Sequence, residues 1–309
     1  MTKVLVVGGS GFVGSHVVRA LVAADVQPRL FGPNMEGDRL ADLEGRFEET
    51  EGSVLSRPAL AEVLRASGAD TVVSCAAFGA GRLGLMRSGE AEADAALDVN
   101  VAGMNRLLDA ARVAGVRRVV WTSSTVVYGP SAHYPAQPVS EDAPIGPLTF
   151  YGLTKAMAEQ VSLYHRQRHG LEAVALRLPL VLGPGLWYEG AAAALAGLFR
   201  IPAPARLAFH DEPLDLIHAA DVARAVLLLL RHSGPLLPVY NLEGFRCRAS
   251  ELLQAIAARR PDHPPITLDP TPPAMLFPLV SGARLRADIG FVPAYDLSGF
   301  VDAMLEGTE

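Results

Sequence analysis

The chain has 309 residues, of which half are apolar and 19% are charged, and its net charge is −6. This length holds one large or two modest domains with an extensive core, and the composition is that of an ordinary soluble globular protein. The negative charge argues against nucleic acid or an anionic membrane surface as a partner.

The cysteines and the apolar runs indicate the compartment. Cys75 and Cys247 lie far apart in the sequence, so we expect two buried thiols in a reducing cytosol rather than a disulfide or a metal site. The N-terminal apolar run ends in glycines and predicts no signal peptide. The longest later apolar run, residues 225–230, is too short to span a bilayer. We therefore expect a cytoplasmic protein with no membrane partner.

A glycine-rich turn between a strand and a helix begins the chain. Apolar residues from Val4 to Val7 predict a strand buried on both faces, and apolar residues at helical spacing predict a following helix that ends near Asp25. The glycines between them fit two overlapping patterns, Gly9-x-Gly11-x-x-Gly14 and Gly8-x-x-Gly11-x-x-Gly14.

Each glycine of this turn has a physical role. Gly8 and Gly9 allow the backbone to turn with positive φ. Gly11 lets a pyrophosphate approach the main chain, and Gly14 lets the helix lie close to the strand. The free N–H groups at the start of the helix would face the phosphates. The glycines and their flanking elements together predict dinucleotide binding rather than a merely structural turn.

The second strand, predicted over residues 27–31, lacks the usual partner for a dinucleotide ribose. An acidic residue commonly follows this strand, about 20 residues after the glycines. Here Gly32, Pro33 and Asn34 follow it, and Arg29 and Arg39 are the nearby cations. The choice between NAD and NADP stays open on this evidence.

Strands and helices alternate through the rest of the first half. This alternation predicts a parallel, doubly wound α/β sheet of the Rossmann type. The predicted elements are a weak strand over 46–50, a helix from Ser56 and Pro58 through Leu64, a buried strand over 71–77, a helix over 94–113 that carries Asn100, and a strand over 117–121.

The second half is less regular and rich in proline. We expect a Rossmann domain over residues 1–178, which takes in about 215–243 as well, and a smaller substrate-binding domain over 179–309. The predicted features are a helix through His169, a strand over 173–178, a proline-rich connection at 201–204, a helix over 221–231 and an irregular connection over 261–278.

Tyr151 and Lys155 form the second informative motif. Residues four apart on a helix share a face, so the phenol and the ammonium can point into one site. A nearby cation lowers the pKa of a tyrosine, which can then exchange a proton with a substrate oxygen. The hydroxyl-rich segment from Thr122 to Gly129 closes the fifth strand, where a parallel sheet opens its ligand crevice. A hydroxyl there can hold the reacting oxygen against the tyrosine.

Other polar residues favour structural interpretations. His165 and His169 stand four apart, but no third ligand is evident, so a solvated helix face is expected and no metal. His218 is expected to be a satisfied core histidine. No Gly-x-Ser-x-Gly elbow of a serine hydrolase is present. Six residues lie in segments that could line a substrate pocket, although surface positions are expected for them: Arg82, Arg87, Trp187, Tyr188, Arg206 and His210.

Taken together, these motifs resemble those of the extended short-chain dehydrogenase/reductase family, also called the NAD-dependent epimerase/dehydratase family. The resemblance covers nearly the whole chain. It includes the opening glycines, Ala76 with Ala77, Asn100 with Gly103, the serine-rich segment before Tyr128, the Tyr151/Lys155 pair, Arg177, Gly183 to Gly185, Asp215, Asp221 to Ala223, Tyr240 with Asn241, and Asp288 to Pro293.

The resemblance implies roles for individual residues. Tyr151 would be the acid/base, Lys155 would hold the nicotinamide ribose and lower the pKa of the tyrosine, and Ser124 would orient the reacting oxygen, with Thr125 in reserve. The cofactor, NAD or NADP, would contact Gly8, Gly11, Phe12, Val13, Gly14, Ser53, Val54, Ala76, Ala77, Asn100, Tyr151, Lys155 and Leu178.

Departures from the family pattern narrow the chemistry. Family dehydratases carry an Asp–Glu pair after the active-site hydroxyl, where this chain has Thr125 and Val126, so dehydration and decarboxylation are disfavoured. Leu180 and Leu214 replace an Asn and an Arg that lie near the diphosphate of nucleotide sugars in the family. This disfavours a nucleotide-sugar substrate without excluding it. Ser53 stands where an Asp usually meets the adenine.

The sequence predicts oxidation or reduction of a secondary alcohol or ketone on a small polar, sugar-like molecule. An epimerase that uses the same residues and keeps its cofactor bound is the first alternative. A cofactor-binding sensor without catalysis is the second. The family also implies a homodimer built from the helix that contains Tyr151 and the helix that ends at Val113, and Met157, Val161 and Tyr164 offer an apolar stripe for it.

Overall fold

The computed structural model describes residues 3–33, 39–200, 205–261 and 265–307. A seven-stranded parallel sheet forms its centre, with strand order β10-β6-β5-β4-β1-β2-β3. The strands of this sheet are β1 (Val4–Val7), β2 (Arg29–Gly32), β3 (Glu48–Glu51), β4 (Thr71–Ser74), β5 (Arg118–Ser124), β6 (Glu172–Leu178) and β10 (Val239–Asn241).

Helices cover both faces of this sheet, which confirms the predicted α/β, doubly wound class. Alternate residues of each strand point to opposite faces. Val4 and Val6 belong to the core beneath α1 and α8, and Leu5 and Val7 belong to the core beneath α2, α5 and α6. These helices are α1 (Phe12–Ala23), α2 (Arg57–Ser67), α5 (Met104–Val113), α6 (Phe150–His169) and α8 (Ala219–Arg231).

The remaining elements form smaller units around this centre. A three-stranded sheet has the order β11-β9-β7, and β12 pairs with β8. The further strands are β7 (Leu180–Leu182), β8 (Arg206–Phe209), β9 (Leu214–His218), β11 (Phe245–Cys247) and β12 (Thr267–Pro270). The further helices are α3 (Leu85–Ala91), α4 (Ala93–Leu97), α7 (Ala191–Ala196), α9 (Ala249–Arg259), α10 (Ala283–Ile289) and α11 (Leu297–Glu306).

The order of the strands along the chain reverses between β1 and β4. The glycine loop after β1 and residues 75–78 after β4 therefore lie side by side. Connections from these two strands diverge to opposite sides, and ligands of open parallel sheets bind in the resulting crevice at the carboxyl ends. The carboxyl ends of β5 and β6 are neighbours, with Ser124 opposite Leu178. The fold therefore brings the ends of four strands together on one edge of the sheet.

Several predicted boundaries need correction. The predicted helix over 94–113 contains a π turn, Asp98–Gly103, between α4 and α5. The buried strand predicted to Ala77 ends at Ser74, and β5 continues three residues beyond Trp121 to Ser124. The proline-rich connection over 261–278 contains β12, because its residues pair in parallel with β8.

Some predictions lie outside the described residues. These are Asn34 after the second strand, the connection over residues 201–204 and part of the connection over 261–278. The division into two domains remains a prediction. In the structure β10 pairs with β6 after the chain has passed through β7, β8 and β9.

Candidate active site

The glycine loop that joins β1 to α1 is tightly packed. Gly8 has φ of 76°, and its N–H donates to the Phe31 carbonyl at 2.8 Å. A methyl group at Gly14 would lie 2.0 Å from the carbonyl oxygen of Gly8. Gly9 was also expected at positive φ but does not adopt it, and a methyl group there would lie 2.8 Å from Cδ2 of Leu30.

This loop fits the pyrophosphate of a dinucleotide. Gly11 is the N-cap of α1 and provides no side chain to cap the helix, so backbone N–H groups of the first turn remain available. Cβ atoms at Gly8 and Gly14 would press on the backbone of Ala76 and of Gly8, so these glycines keep the main-chain cradle compact at the positive end of the helix dipole. The residues present therefore suit the phosphates predicted from the sequence.

Asn100 connects the neighbouring strand end to the helix that carries Tyr151. Its side-chain oxygen accepts from the Phe78 N–H at 2.8 Å, and its amide nitrogen donates to Oγ1 of Thr154 at 2.9 Å. Asn100 lies in the π turn, a feature that occurs frequently at functional sites. The buried amide thus fixes the segment that follows Ala76 and Ala77 against α6.

The other predicted cofactor residues surround this cradle at different depths. Phe12 is buried at the start of α1, and Val13 packs partly buried against the same core. Val54 packs at the π turn, where a methyl group on Gly103 would lie 2.6 Å from its Cγ2. Ser53 is exposed after β3, and its hydroxyl accepts from the Leu55 N–H at 3.2 Å.

The three predicted catalytic side chains lie together. Tyr151 is in the first turn of α6, whose N-cap Thr149 accepts from the Gly152 N–H at 3.0 Å. The Ser124 hydroxyl, which accepts from the Val126 N–H at 3.4 Å, lies near enough to Tyr151 to lower the pKa of its phenol. Nζ of Lys155 donates to the Thr122 carbonyl at 2.8 Å and lies 5.7 Å from the centre of the Tyr151 ring. The ends of β5 and α6 thus form one buried polar site.

Burial sets the electrostatics of this site. It raises the pKa of Tyr151, with a further contribution from nearby Tyr188, against the lowering effect of the Ser124 hydroxyl. Burial lowers the pKa of Lys155 to about 8, while Cys75 and Glu159 act in the opposite direction. The expected lowering of the tyrosine pKa is therefore not found, because removing the phenolate from water outweighs its other interactions.

A segment from the second half covers the substrate side. Tyr188 is half-buried and meets Phe12 edge to face, with ring centres 6.2 Å apart. The next residue, Glu189, donates its N–H to the Arg82 carbonyl at 2.7 Å, and its carboxylate pairs with Arg87 at 2.7 Å. The segment before α3 and the segment around Tyr188 therefore form one wall near Tyr151.

Among the pocket candidates, the expectation of a solvated position fails for two aromatic residues. Tyr188 lies beside the site, and Trp187 is half-buried beneath the Arg39 guanidinium at 5.6 Å. Their position in the sequence gave no periodicity from which burial could be predicted. Arg82, Arg87 and Arg206 are exposed, and His210 stacks on Phe209.

The histidine predictions are partly correct. His169 is exposed as expected, but His165 is buried and its Nε2 lies 3.0 Å from Oδ1 of Asn105. His218 is a core residue whose Nδ1 accepts from the Ala220 N–H, while its Nε2 has no partner among the described residues. The described parts of the chain contain no cluster of metal-binding side chains and no helix long and apolar enough to cross a membrane.

The model of the NAD-dependent epimerase/dehydratase family matches residues 4–242. The chain belongs to this family. A UDP-glucose 4-epimerase from Azospirillum brasilense is 30% identical over 98% of this chain and 91% of the relative. The family description and the glycine cradle agree that this epimerase/dehydratase-family protein is an NAD-dependent enzyme.

Solved structures agree with the fold of this family member. An L-threonine dehydrogenase from Cupriavidus necator has a TM-score of 0.86 at 22% identity, and the match covers 99% of this chain and 100% of that one. A Thermus thermophilus UDP-glucose 4-epimerase in complex with NAD has a TM-score of 0.84 at 24% identity, with 99% of both chains covered.

Proposed function

We propose that the protein moves a hydride between a nicotinamide cofactor, NAD or NADP, and a secondary alcohol or ketone of a small polar, sugar-like substrate. The observation that carries this proposal is the buried arrangement of Ser124, Tyr151 and Lys155 beside the glycine cradle. When bound, the nicotinamide ring accepts or returns the hydride.

Ser124, Tyr151 and Lys155 each have a separate role in binding the substrate oxygen and moving its proton. The Ser124 hydroxyl lies near enough to the Tyr151 phenol to lower its pKa, so both can contact one substrate oxygen. In oxidation the substrate O–H proton passes to the phenolate of Tyr151 as the C–H bond gives up its hydride, and in reduction the phenol returns a proton to the new alkoxide. Lys155 would hold the nicotinamide ribose, and its positive charge would favour the phenolate.

The surroundings of the site favour a small substrate and simple redox chemistry. Thr125 and Val126 are buried and provide no carboxylate to assist loss of water. Leu180 and Leu214 pack against the hydrophobic core. Without polar groups at these two positions a diphosphate loses charge-assisted hydrogen bonds of about 1.5–3 kcal/mol each.

Tyr151→Phe tests this proposal. NADH formation is followed at 340 nm with a panel of polyols, sugars and β-hydroxy amino acids, and the best substrate is then compared between variants. Loss of the acid/base lowers kcat by about 10²- to 10⁴-fold and leaves the affinity for NADH, measured by fluorescence, within about twofold. Tyr164→Phe, an exposed tyrosine on the same helix, is the control. Full activity of Tyr151→Phe contradicts the proposal, whereas NADH binding without turnover of any member of the panel by the wild type favours a non-catalytic sensor.

The second candidate is an NAD-dependent epimerase acting on a nucleotide sugar. It is favoured by the 30% identity to the UDP-glucose 4-epimerase of Azospirillum brasilense. Tightly retained NAD after purification, with isomerisation of the sugar and no net NADH, supports this candidate. Exchangeable cofactor with steady NADH formation supports the dehydrogenase.

We also propose a homodimer through α5 and α6. Met157 and Tyr164 of the predicted stripe are exposed on α6 together with Leu153, and Val113 is exposed at the end of α5, whereas Val161 is half-buried against the core and does not belong to the stripe. The three residues of α6 are spaced by four and by seven residues, which puts them along one side of the helix. A second copy of the chain would bury this stripe.

A further inference from the structure

A buried ion pair lies one helical turn beyond Lys155. Arg177 Nε donates to Oε1 of Glu159 at 2.9 Å, and Nη2 donates to Oε2 at 2.7 Å. The two side chains are 4% and 5% exposed. This bidentate geometry fixes the direction of both groups, and a buried carboxylate is costly unless it is paired in this way.

Glu159 and Lys155 attach α6 to consecutive residues of β5. Oγ of Ser123 donates to Oε1 of Glu159 at 2.6 Å, and Nζ of Lys155 donates to the Thr122 carbonyl at 2.8 Å. The next residue of the strand is Ser124. Since Lys155 and Glu159 are four apart, they are neighbours on the same helix face.

Arg177 also has hydrogen-bond partners on the side away from Glu159. Nη1 of Arg177 donates to the Tyr128 hydroxyl at 2.7 Å, and the guanidinium lies 4.8 Å from the centre of that ring. The Tyr128 hydroxyl donates to Oδ1 of Asn241 on β10 at 2.8 Å. Three strands of the central sheet and α6 therefore meet at Glu159 and Arg177.

We propose that Glu159, held by Arg177 and Ser123, is a positioning residue that orients Lys155 at the end of β5 and keeps it in its charged form. This inference rests on the role proposed above for Lys155. The ion pair would then affect the orientation and charge of Lys155 as well as joining α6 to the sheet.

Glu159 is the carboxylate near Lys155 that opposes the effect of burial on its charge. Cys75 approaches from the end of β4, Tyr151 and Glu159 come from α6, and Arg177 on β6 lies behind Glu159. Burial raises the pKa of the Cys75 thiol to about 12, so this neighbour stays neutral. Burial alone favours neutral Lys155, and Glu159 opposes this effect. Without the carboxylate, a larger fraction of Lys155 is uncharged near neutral pH.

The composition of the chain allows a direct test, because it contains only two lysines, Lys3 and Lys155. Protein labelled with ¹³C at the lysine ε carbons gives two signals, which the Lys3→Arg variant assigns. The Lys155 signal is expected to titrate near pH 8. In Glu159→Gln its midpoint moves to lower pH by at least about half a pH unit.

Glu172→Gln is the matched control. Glu172 pairs with Arg118, a buried residue opposite it at the other end of the same two strands. Both variants lose an ion pair to a buried arginine, so thermal unfolding moves to lower temperature in both, whereas only Glu159→Gln shifts the Lys155 titration. An unchanged Lys155 midpoint in Glu159→Gln overturns the proposal and leaves the pair a structural one.

Glu159→Asp keeps the test decisive if the Gln variant does not fold. It retains the charge and withdraws it by one methylene, so a smaller shift in the same direction is expected, and no shift overturns the proposal. The measurement needs neither substrate nor turnover. Absence of any redox activity would therefore refute the proposed function, whereas the Lys155 titration alone would decide this inference.

Discussion

Tyr151 and Lys155 both lose most of their contact with water, and burial favours the neutral form of each. Burial raises the pKa of Tyr151 and lowers that of Lys155 to about 8. Near pH 7 the free protein therefore holds a neutral phenol beside a charged ammonium. Above about pH 8 the ammonium also becomes neutral, which removes the cation that would favour the phenolate.

A second buried group, His218, makes stability depend on pH. Its pKa is lowered to about 4, chiefly by burial and also by nearby His16, while Asp221 acts in the opposite direction. The unfolded chain binds a proton at this residue below about pH 6.5 and the folded chain does so only near pH 4. Stability is thus lost as pH falls between these values, by up to about 3 kcal/mol.

His218→Asn is expected to flatten this pH dependence. His218 caps α8 through Nδ1, and Asn can also cap a helix, so the cap is preserved while the titrating group is removed. Unfolding midpoints in urea between pH 7 and pH 4.5 measure the effect, with exposed His133→Asn as control. Equal slopes in wild type and His218→Asn would contradict this account.

Among the secondary-structure elements, two irregular turns, the glycine loop and the π turn, determine the shape of the crevice at the ends of β1 and β4. The glycine loop turns through positive φ at Gly8, and the π turn holds Asn100 where its amide contacts both Phe78 and Thr154. A regular helix over 94–113 would change which residues of this stretch face β4 and α6. Both irregular turns therefore position backbone groups around the same crevice.

Gly14→Ala is expected to abolish cofactor binding. The new methyl group would lie 2.0 Å from the Gly8 carbonyl oxygen, so the loop and α1 must move apart. NADH fluorescence titration should show at least about a hundredfold loss of affinity, because misplaced N–H groups no longer meet the phosphates. Gly197→Ala is the control, since a methyl group there has open space and the backbone is already helical.

Much of this arrangement could be predicted from the sequence because it follows local patterns. The glycine spacing located the cradle, and the four-residue spacing of Tyr151 and Lys155 located their common helix face. The raised pKa of Tyr151 depends on burial by distant segments such as the one that carries Tyr188, which local patterns do not encode. Glu159 continues the same four-residue spacing after Lys155, so this periodicity was an available signal that was not used.

At the scale of the whole molecule, the exposed apolar stripe on α6 favours association of two copies of the chain. Met157 is 39% exposed and Tyr164 is 55% exposed, and both lie on the outer side of a helix whose other side holds Lys155 and Glu159. Isolated exposed apolar residues are common, but a row along one long helix is typical of an interface. Dimerisation there would also restrict movement of α6 and thereby support the site.

Met157→Glu is expected to convert a dimer to a monomer, because a charge in the centre of an apolar interface is left unpaired. Light scattering after size-exclusion chromatography gives the mass directly. Val292→Glu, at another exposed apolar residue, should leave the mass unchanged. A wild-type protein that is monomeric at micromolar concentration would refute the proposed interface.

The place of β10 in the central sheet has a consequence for synthesis of the chain. Val239–Asn241 pairs with β6, yet β7, β8, β9 and α8 are translated between them. At about 5–20 residues per second, the nascent chain carries an unpaired β6 edge for several seconds while the catalytic residues have already emerged. Such an edge can pair with other chains. Folding on the ribosome therefore depends on the late arrival of a three-residue strand.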